Sequence, residues 1–457
     1  MKERIRIASG QGFWGDLPSA PIDQIRRAST ESPIDYMMMD YLAEVTMSIM
    51  QKQKLRDPRM GYARDLVEVI DAVLPEIVAK NIKIITNGGG VNPEGCRDAI
   101  FEVARKRGIP IKVGVVLGDN ILDDLDPMLA AGHQLKNMET GEPLRTVRSQ
   151  VLSANVYFGA WPIVEALQQG AQIVVTGRTT DTGLTLAPMI HEFGWSAKDW
   201  DRLAAGTVAG HILECGAQSS GGNFSADWQS VKDMAHIGFP IAEAYPNGDF
   251  IITKHPKTGG RVSRQTVAEQ LLYEIGNPRD YITPDCIADF TSIHLEEVGK
   301  DRVRVHSIRG LPATDFYKVS MSYNDGFSAQ GTLTYTWPDA VQKARLADQI
   351  LRTRLKDYGC IYDEMRTEYL GVNSCHGPLT PVDFNDVQEV VVKWGVRGKD
   401  KKSIERFGKE IAPLILTGPP SVTGFAGGRP KPSEVVAYWP ALLDKRAVTP
   451  RVVVQQA

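Results

Sequence analysis

The first half of the chain alternates short apolar runs with segments of helical periodicity. Five runs read as buried strands: IRIAS (5–9), YMMMD (36–40), KIITN (83–87), IKVGVV (111–116) and QIVVTG (172–177). Segments 62–81 and 93–108 lie between them and carry apolar residues at helical spacing. This alternation predicts a doubly wound, mostly parallel sheet of the α/β class. Right-handed crossovers then bring the carboxyl ends of the parallel strands to one edge of the sheet.

The pattern changes after about residue 235. Segments such as FIITKHPKTGGRVS, DRVRVHSIRG and VQEVVVKWGV read as strands joined by turns, and helical patterns occur at 266–275 and 338–359. We therefore predict an α/β domain over 1–235 and an α+β domain with antiparallel strands over 236–457. The C-terminal stretch GPPSVTGFAGGRPKPSEVVAYWPALLDKR is rich in Gly and Pro, so we expect it to wrap over the surface.

Composition excludes several classes of protein. The 457 residues are 42% hydrophobic and 23% charged with a net charge of −3, which is typical of a soluble protein without a nucleic acid or a membrane as partner. No apolar run approaches the ~20 residues of a membrane span, and the N-terminus lacks a signal-peptide apolar region, so we expect a cytoplasmic protein. The five cysteines are widely spaced, which predicts reduced thiols.

A polar or glycine-rich loop follows each predicted strand of the first half. In chain order these loops are GQGFWGD, DYLAE, NGGGVNP, GDN and TGRTTDTG. Loops at the carboxyl ends of parallel strands lie side by side, and the crevice between them is the expected ligand site. We therefore predict a single pocket in which Asn87, Arg178 and Asn223 converge.

Two glycine-rich loops are candidate anion holders. In NGGGVNP the missing Cβ atoms would let backbone amides approach a carboxylate or phosphate, although a tight strand–helix turn explains the same glycines. QSSGGNFS has the composition of a nest of backbone amides and hydroxyl groups. Neither has the spacing of a nicotinamide, flavin or ATP site. The predicted substrate-binding residues of these loops are Asn87, Gly88, Gly89, Gly90, Asn92, Gln218, Ser219, Ser220 and Asn223.

Charged side chains in two of the strand-end loops are candidates for the chemistry. Asp40 and Glu44 would share a helical face if a helix starts near Asp40, either as a proton-exchanging or metal-binding pair or as a helix cap and an ion-pair partner. Arg178 is predicted to bind a substrate carboxylate as a bidentate donor. An internal ion pair between Arg178 and Asp181 is the alternative.

A second dense stretch, GHILECGAQSSGGNFSADW (210–228), contains a further set of candidates. His211 and Glu214 are three residues apart on a predicted helix, so they can act as a base and its orienting group. Cys215 follows directly. No cation is adjacent in sequence to lower the pKa of its thiol, so a structural role explains this cysteine as well as a nucleophilic one.

Several long segments together resemble one family. SGQGFWGD, DPRMGYARD, IITNGGGVNP, TGRTTDTGLTLAPMIHEFGW and AGHILECGAQSSGGNFSADW are similar to the acyclic terpene utilisation AtuA family, and the similarity covers nearly the whole chain. The resemblance implies a role in the breakdown of branched acids, such as CoA thioesters derived from citronellate or geranylate. Many members continue into a further AtuA-like module, so the resemblance implies either that this module is dispensable here or that a separate small AtuA-like subunit supplies it as a partner.

These observations favour a lyase or hydro-lyase that acts on a branched carboxylate or acyl-CoA at an anion-binding pocket. A divalent metal ion is one option at this site, and no cofactor is identified. A non-catalytic substrate-binding subunit that needs a small partner and a thioester hydrolase that uses Cys215 or Ser220 stay open as alternatives. We also expect a homo-oligomer. The side chains assigned to proton transfer are Asp40, Glu44, Asp181, His211 and Glu214.

Overall fold

The computed structural model describes residues 2–380, 387–424 and 427–457, without the side chain of Glu44. The helices are α1 (Ala20–Arg27), α2 (Glu44–Arg56), α3 (Arg64–Ala79), α4 (Pro93–Arg107), α5 (Leu125–Ala130), α6 (Trp161–Gln168), α7 (Gly183–Phe193), α8 (Trp200–Glu214), α9 (Arg264–Leu272), α10 (Ala340–Asp357), α11 (Lys401–Ile411) and α12 (Leu414–Thr417). The strands are β1 (Ile5–Gln11), β2 (Tyr36–Met39), β3 (Lys83–Thr86), β4 (Lys112–Leu117), β5 (Val151–Val156), β6 (Ile173–Thr176), β7 (Pro240–Ala244), β8 (Phe250–Lys254), β9 (Tyr281–Ile282), β10 (Ile287–Asp289), β11 (His294–Gly299), β12 (Arg302–His306), β13 (Arg309–Leu311), β14 (Phe316–Thr336), β15 (Glu364–Leu370), β16 (Glu389–Gly398), β17 (Val422–Thr423), β18 (Ser433–Asp444) and β19 (Arg451–Gln456).

The largest sheet has ten strands in the order β11-β12-β8-β7-β1-β2-β3-β6-β4-β19. Its central strands β1, β2, β3, β6 and β4 pair in parallel. They correspond to the five apolar runs of the first half, and β1, β2 and β6 are buried along their whole length. Continuous burial is expected where helices cover both faces of parallel strands. The prediction of an α/β fold is therefore confirmed.

Antiparallel strands extend this sheet on both sides. β7 pairs with β1 and continues into β8, β12 and β11, while β19 pairs with β4. The compact units consequently differ from the predicted 1–235 and 236–457. The first unit comprises Met1–Ser322 and Tyr438–Ala457, and the second comprises Tyr323–Ala437. The apolar strands that follow residue 235 bury their side chains by adding to the existing sheet, so no new core begins at that point.

The second unit has a core of its own. β14, β15 and β16 pair in antiparallel fashion, and α10 and α11 contribute apolar side chains to the same cluster. Leu333, Leu351, Trp394 and Phe407 are fully buried there. The helical pattern at 338–359 and the strand pattern of VQEVVVKWGV are both confirmed. The prediction of antiparallel strands mixed with helices therefore holds for this unit.

The Gly- and Pro-rich C-terminal stretch contains a long strand. Ser433–Asp444 form β18, and Trp439 is 2% exposed with its indole Nε1 donating to the Leu135 carbonyl oxygen at 3.0 Å. The expectation of a surface wrap does not hold for this segment, because the alternating apolar residues of AYWPALL pack inward. Residues 425–426 lie outside the described residues. Throughout the described part of the chain, no helix is long and apolar enough to cross a membrane.

Candidate functional site

A cavity of about 500 Å³ opens where the central parallel strands end. Loops that directly follow β1, β2 and β6 form one part of its wall, and the end of α8, the segment up to Asn223 and the residues after α9 form the rest. Arg178 and Asn223 both line this cavity, whereas Asn87 does not. The strand-end rule therefore located a cavity, but the predicted convergence of the three residues is only partly realised.

Asp40 is the buried carboxylate of the cavity wall. It follows β2 and is 5% exposed. Asn87 Nδ2 donates to Oδ1 at 2.7 Å and the Leu42 amide donates to the same oxygen at 3.1 Å. Burial raises the pKa of Asp40 well above its usual value and Asp181 adds to this, although Arg178 opposes it. A carboxyl group in such surroundings can retain a proton near neutral pH.

Asp40 and Glu44 do not share a helical face as predicted. α2 begins at Glu44, so Asp40 lies in the preceding loop and the shared helical face does not form. The side chain of Glu44 lies outside the described residues. In the described part of the chain, no group of three or more His, Cys, Asp or Glu side chains is arranged to hold a metal ion.

Arg178 is engaged by groups of the chain itself. Its Nη1 donates to the Leu42 carbonyl oxygen and, at 2.9 Å, to Asp181 Oδ1, and the guanidinium lies 4.1 Å from the centre of the Tyr157 ring. Burial lowers the pKa of Arg178, but Asp181, Tyr157 and Asp40 outweigh this effect and raise it. The internal ion pair is thus the arrangement present. A bidentate contact with a substrate carboxylate would require breaking it.

His211 and Glu214 are paired at the end of α8. His211 Nδ1 lies 2.8 Å from Glu214 Oε1, which confirms their predicted proximity. His211 is 1% exposed, and its ring packs edge-on against Tyr281 and Phe290. Glu214 lines the cavity, and among the described residues its buried Oε2 has no hydrogen-bond partner. The roles are therefore the reverse of those expected, because Glu214 faces the cavity and His211 orients it.

Each member of this pair changes the pKa of the other. Burial raises the pKa of Glu214, and His211 partly offsets that increase. Burial lowers the pKa of His211, but the Glu214 carboxylate and further contacts outweigh it, so the net shift is upward. An imidazolium beside the carboxylate favours the ionised form of Glu214, although the net shift of the Glu214 pKa is upward.

The three glycines of NGGG lie behind the cavity wall. Gly88, Gly89 and Gly90 are buried, and none of them lines the cavity. A Cβ atom at Gly89 would lie 2.5 Å from the Thr176 carbonyl oxygen, and Gly90 has φ +55°. Glycine is required at these positions because the loop packs closely against neighbouring segments of the same chain. The tight-turn alternative explains them, and none of them reaches the cavity lining.

Asn87 and Asn92 of the same loop also form hydrogen bonds within the chain. Asn87 Oδ1 accepts from the Tyr41 amide at 2.7 Å while its Nδ2 donates to Asp40, so Asn87 holds Asp40 from behind. Asn92 Oδ1 accepts from the Gly95 amide at 3.2 Å and caps α4. Neither asparagine is among the residues that line the cavity, so neither is placed to bind substrate.

Some residues of the second glycine-rich loop, QSSGGNFS, line the cavity. Gln218 and Asn223 line the cavity, and their amides form a chain in which Asn223 Nδ2 donates to Gln218 Oε1 at 2.9 Å and Gln218 Nε2 donates to Gln270 Oε1 at 2.7 Å. Ser219 and Ser220 are 0% exposed and do not line it. Two of the four predicted polar side chains are therefore placed to meet a ligand.

The charge of the cavity wall was not expected from the sequence. Its carboxyl groups belong to Asp16, Asp40, Asp181, Glu214 and Glu274, and among the described lining residues Arg178 is the one cation. Such a wall repels a carboxylate and favours a neutral or positively charged group. The prediction of an anion-binding pocket is corrected accordingly.

Three acidic residues of this region were missed at the sequence level. Asp16 ends the glycine-rich loop GQGFWGD, and Glu274 follows α9 with no local signal. Asp119 lies behind the wall and accepts from the Arg178 amide at 2.7 Å and from Asn155 Nδ2 at 2.9 Å. Burial raises the pKa of Asp119 to about 6. Its position directly after β4, in GDN, was the signal available.

Cys215 lines the cavity as a thiol. Burial and the nearby Glu214 carboxylate raise its pKa to about 12. The thiolate is the nucleophilic form of cysteine, and almost none of it forms at neutral pH with such a pKa.

Comparison with known proteins gives one family. Residues 5–454 match the model of the family described as acyclic terpene utilisation family protein AtuA. No curated protein matches the chain. Among solved structures, homoserine dehydrogenase from S. aureus is 9% identical over 86% of this chain and 82% of that one, with a TM-score of 0.13. A likeness of that size carries no inference.

Proposed function

The chain belongs to the acyclic terpene utilisation AtuA family, and on this premise we propose that it catalyses acid–base chemistry on a branched acyl-CoA, adding or removing water. One observation carries the proposal. Asp40 and Glu214 line the same cavity, and burial raises the pKa of both carboxyl groups. Asp181 raises the pKa of each further. Carboxyl groups whose pKa is raised can exchange protons at working pH, so one of the two can donate a proton while the other accepts one.

The surroundings of the two carboxyl groups assign their roles. His211 supports the ionised form of Glu214, which we assign as the base that removes the proton α to the thioester carbonyl. Asp40, whose pKa is raised well above its usual value by burial and Asp181 despite the opposing charge of Arg178, is assigned as the acid. As the C–O bond breaks with its electron pair on oxygen, Asp40 protonates the departing hydroxyl group and water is formed. Addition of water follows the same steps in reverse.

Thioesters fit this cavity better than free acids. A substrate carboxylate would meet several carboxyl groups and an Arg178 that is already paired with Asp181. The thioester carbonyl is neutral, so the acyl end of the substrate avoids that repulsion, whereas the anionic phosphates of CoA would have to lie outside the carboxyl-lined wall. In the described part of the chain the amide groups of Gln218 and Asn223 each use one N–H, which leaves a second N–H for an oxygen that becomes negative as an enolate forms.

A thioester hydrolase receives less support. Cys215 is a thiol with a pKa of about 12, and Ser220 is buried outside the cavity lining. A substrate-binding subunit that acts only with a small partner uses the same cavity. Its distinguishing property is binding without turnover when it is alone.

The test measures hydrogen exchange at the α carbon and the gain or loss of water in one experiment. The native assembly, purified with any copurifying small subunit, is incubated in D₂O with citronelloyl-CoA, geranoyl-CoA and the 3-hydroxyacyl-CoA that corresponds to hydrated geranoyl-CoA. Mass spectrometry then measures gain or loss of water and deuterium at the α carbon. We expect turnover that falls by about 10²-fold or more in both Asp40→Asn and Glu214→Gln.

Asp71→Asn is the matched control, because Asp71 lies on α3 in an ion pair with Arg107 away from the cavity. Its turnover should equal that of the unmodified chain. Unlabelled, intact substrate throughout would exclude the proposal. Tight binding without turnover would favour the binding-subunit alternative, and turnover in Asp40→Asn equal to that of Asp71→Asn would remove Asp40 from the mechanism.

A further inference from the structure

Two histidines of the first unit lie directly opposite each other on neighbouring antiparallel strands. His294 of β11 is the register partner of His306 of β12. Their ring centroids are 5.6 Å apart and the ring planes differ by 24°. Neither residue lines the cavity described above. The pair therefore needs an explanation of its own.

The backbone contact of the His294 ring fixes which of its nitrogens is available, and the Ser307 hydroxyl can accept from His306 Nδ1 in the same way. His294 Nδ1 lies 2.9 Å from the Ser292 carbonyl oxygen. A carbonyl oxygen only accepts, so Nδ1 carries the hydrogen and the neutral ring has its lone pair on Nε2. His306 Nδ1 lies 2.8 Å from Ser307 Oγ. Within the described residues, neither Nε2 takes part in a hydrogen bond. Histidine ligands of metal ions characteristically have the other ring nitrogen bonded in this way.

We propose that His294 and His306 bind one first-row transition-metal dication through their Nε2 atoms. Metal–imidazole bonds are about 2.0–2.1 Å long, so the two nitrogens need to lie within about 4 Å of each other. The ring centroids are 5.6 Å apart, so metal binding requires the two side chains to turn their Nε2 atoms toward each other. Imidazole suits Zn²⁺, Ni²⁺ and Cu²⁺, with Cu²⁺ bound most tightly. Water completes the coordination shell.

The surroundings favour a cation at this position. The next pair on the same face is Glu296 and Arg304. Arg304 lies 2.6 Å from Asp249 and 3.7 Å from Glu296, so two carboxylates offset its charge. β11 is the outermost strand of the ten-stranded sheet, and His294 is exposed. An ion can therefore reach the pair from solvent.

Metal titration of the untagged chain tests the site. After treatment with a chelator, the chain is titrated with Ni²⁺ and with Cu²⁺, and binding is followed by calorimetry in the presence of a weak competing ligand. We expect one ion per chain at this site. His294→Ala and His306→Ala should each weaken binding by about tenfold or more, because one remaining imidazole loses the advantage of chelation. Circular dichroism checks that both variants remain folded.

His236→Ala is the control, because His236 is another exposed histidine and is paired with Asp233. Its dissociation constant should match that of the unmodified chain. The Cu²⁺ complex should also show two nitrogen ligands in its electron paramagnetic resonance spectrum, and one in either variant. Unchanged affinity in His294→Ala or His306→Ala, or an equal loss in His236→Ala, would overturn the proposal.

Discussion

Two largely buried polar clusters of the first unit both combine arginine, histidine and glutamate but differ in charge balance. The cavity cluster consists of Asp40, Arg178, Asp181, His211 and Glu214. The frame cluster consists of Arg6, Ser32, Glu243, His255 and Arg302. Three carboxyl groups accompany one arginine in the first, whereas two arginines share one carboxylate in the second. Four members of the cavity cluster, all except His211, also line a space that a small molecule can enter.

The frame cluster uses its polar groups to join chain segments. Glu243 of β7 accepts from Arg6 of β1 and, at 2.5 Å, from Arg302 of β12. His255 Nδ1 lies 2.9 Å from Ser32 Oγ, and its Nε2 lies 3.1 Å from the Gln24 carbonyl oxygen. These bonds tie strands of the sheet to the α1 region. Buried charge is therefore not in itself a sign of function. An excess of carboxyl groups beside an open cavity is the distinguishing feature.

The largest effect that we expect from this comparison is the loss of the shared carboxylate in the frame cluster. Glu243→Gln leaves Arg6 and Arg302 without their common counter-charge, and Arg6 is 6% exposed. Removing one member of a buried ion pair costs about 3–5 kcal/mol. Urea unfolding should show a decrease of that size in the free energy of unfolding.

Glu296→Gln serves as the control for this change, because Glu296 lies 3.7 Å from Arg304 in an exposed pair. We expect it to lower the free energy of unfolding by about 0.5 kcal/mol or less. Equal losses in the two variants would mean that the frame cluster contributes nothing beyond an ordinary surface pair.

The second prediction is that the contributions of the two clusters to stability depend on pH in opposite directions. Burial lowers the pKa of His255 to about 4, whereas the net shift of the pKa of His211 is upward. The unfolded chain binds a proton at His255 near pH ~6.5 and the native chain only near pH 4, so stability falls as pH drops through that window, by up to about 3 kcal/mol. His211 acts in the opposite sense, because its contribution is present below pH ~6.5 and is lost as pH rises through its native pKa.

Urea unfolding from about pH 4 to about pH 8 measures both trends. His255→Gln should flatten the loss of stability on the acid side, because glutamine does not titrate. His236→Gln, at an exposed position, should leave the profile unchanged. An acid-side slope that persists in His255→Gln would assign the proton uptake to other groups.

Sequence patterns predicted the elements of the sheet because these depend on local periodicity. The five parallel strands, α3 and α4 lie where the apolar runs and helical spacing place them. The strand-end rule also located Asp40, Arg178 and Asp181, since the loops after β2 and β6 meet at the same edge. The spacing of His211 and Glu214 on one helix was likewise sufficient to predict their contact.

The properties missed from the sequence depend on three-dimensional packing. The sequence around Gly89 does not distinguish a missing Cβ atom that makes room for a ligand from one that makes room for the chain itself. In the structure the missing Cβ makes room for the Thr176 carbonyl oxygen. Glu274 reaches the cavity from a distant part of the chain without a local pattern. The sign of the cavity's charge depends on which side chains point inward. No spacing rule supplies that information.

The smallest expected effect tests most directly whether a carboxyl group of the cavity cluster lowers the stability of the fold, whereas one of the frame cluster raises it. Because burial and Asp181 raise the pKa of Asp40, the native chain holds a proton there more tightly than the unfolded chain does. Stability should therefore fall as pH rises above the ordinary aspartate range of about 4, toward the native pKa. Asp40→Asn removes this cost and retains an oxygen that can accept from Asn87 and Leu42.

We expect Asp40→Asn to raise the free energy of unfolding by about 1–2 kcal/mol at about pH 8, and by much less at about pH 4, in urea titrations. Asp71→Asn, whose carboxylate is partnered by Arg107, should show no gain at either pH. A gain at Asp40 would mean that the carboxyl group is kept at the expense of stability, as is common for functional sites. A loss of stability at about pH 8 would instead place Asp40 with Glu243, among the groups that hold the sheet together.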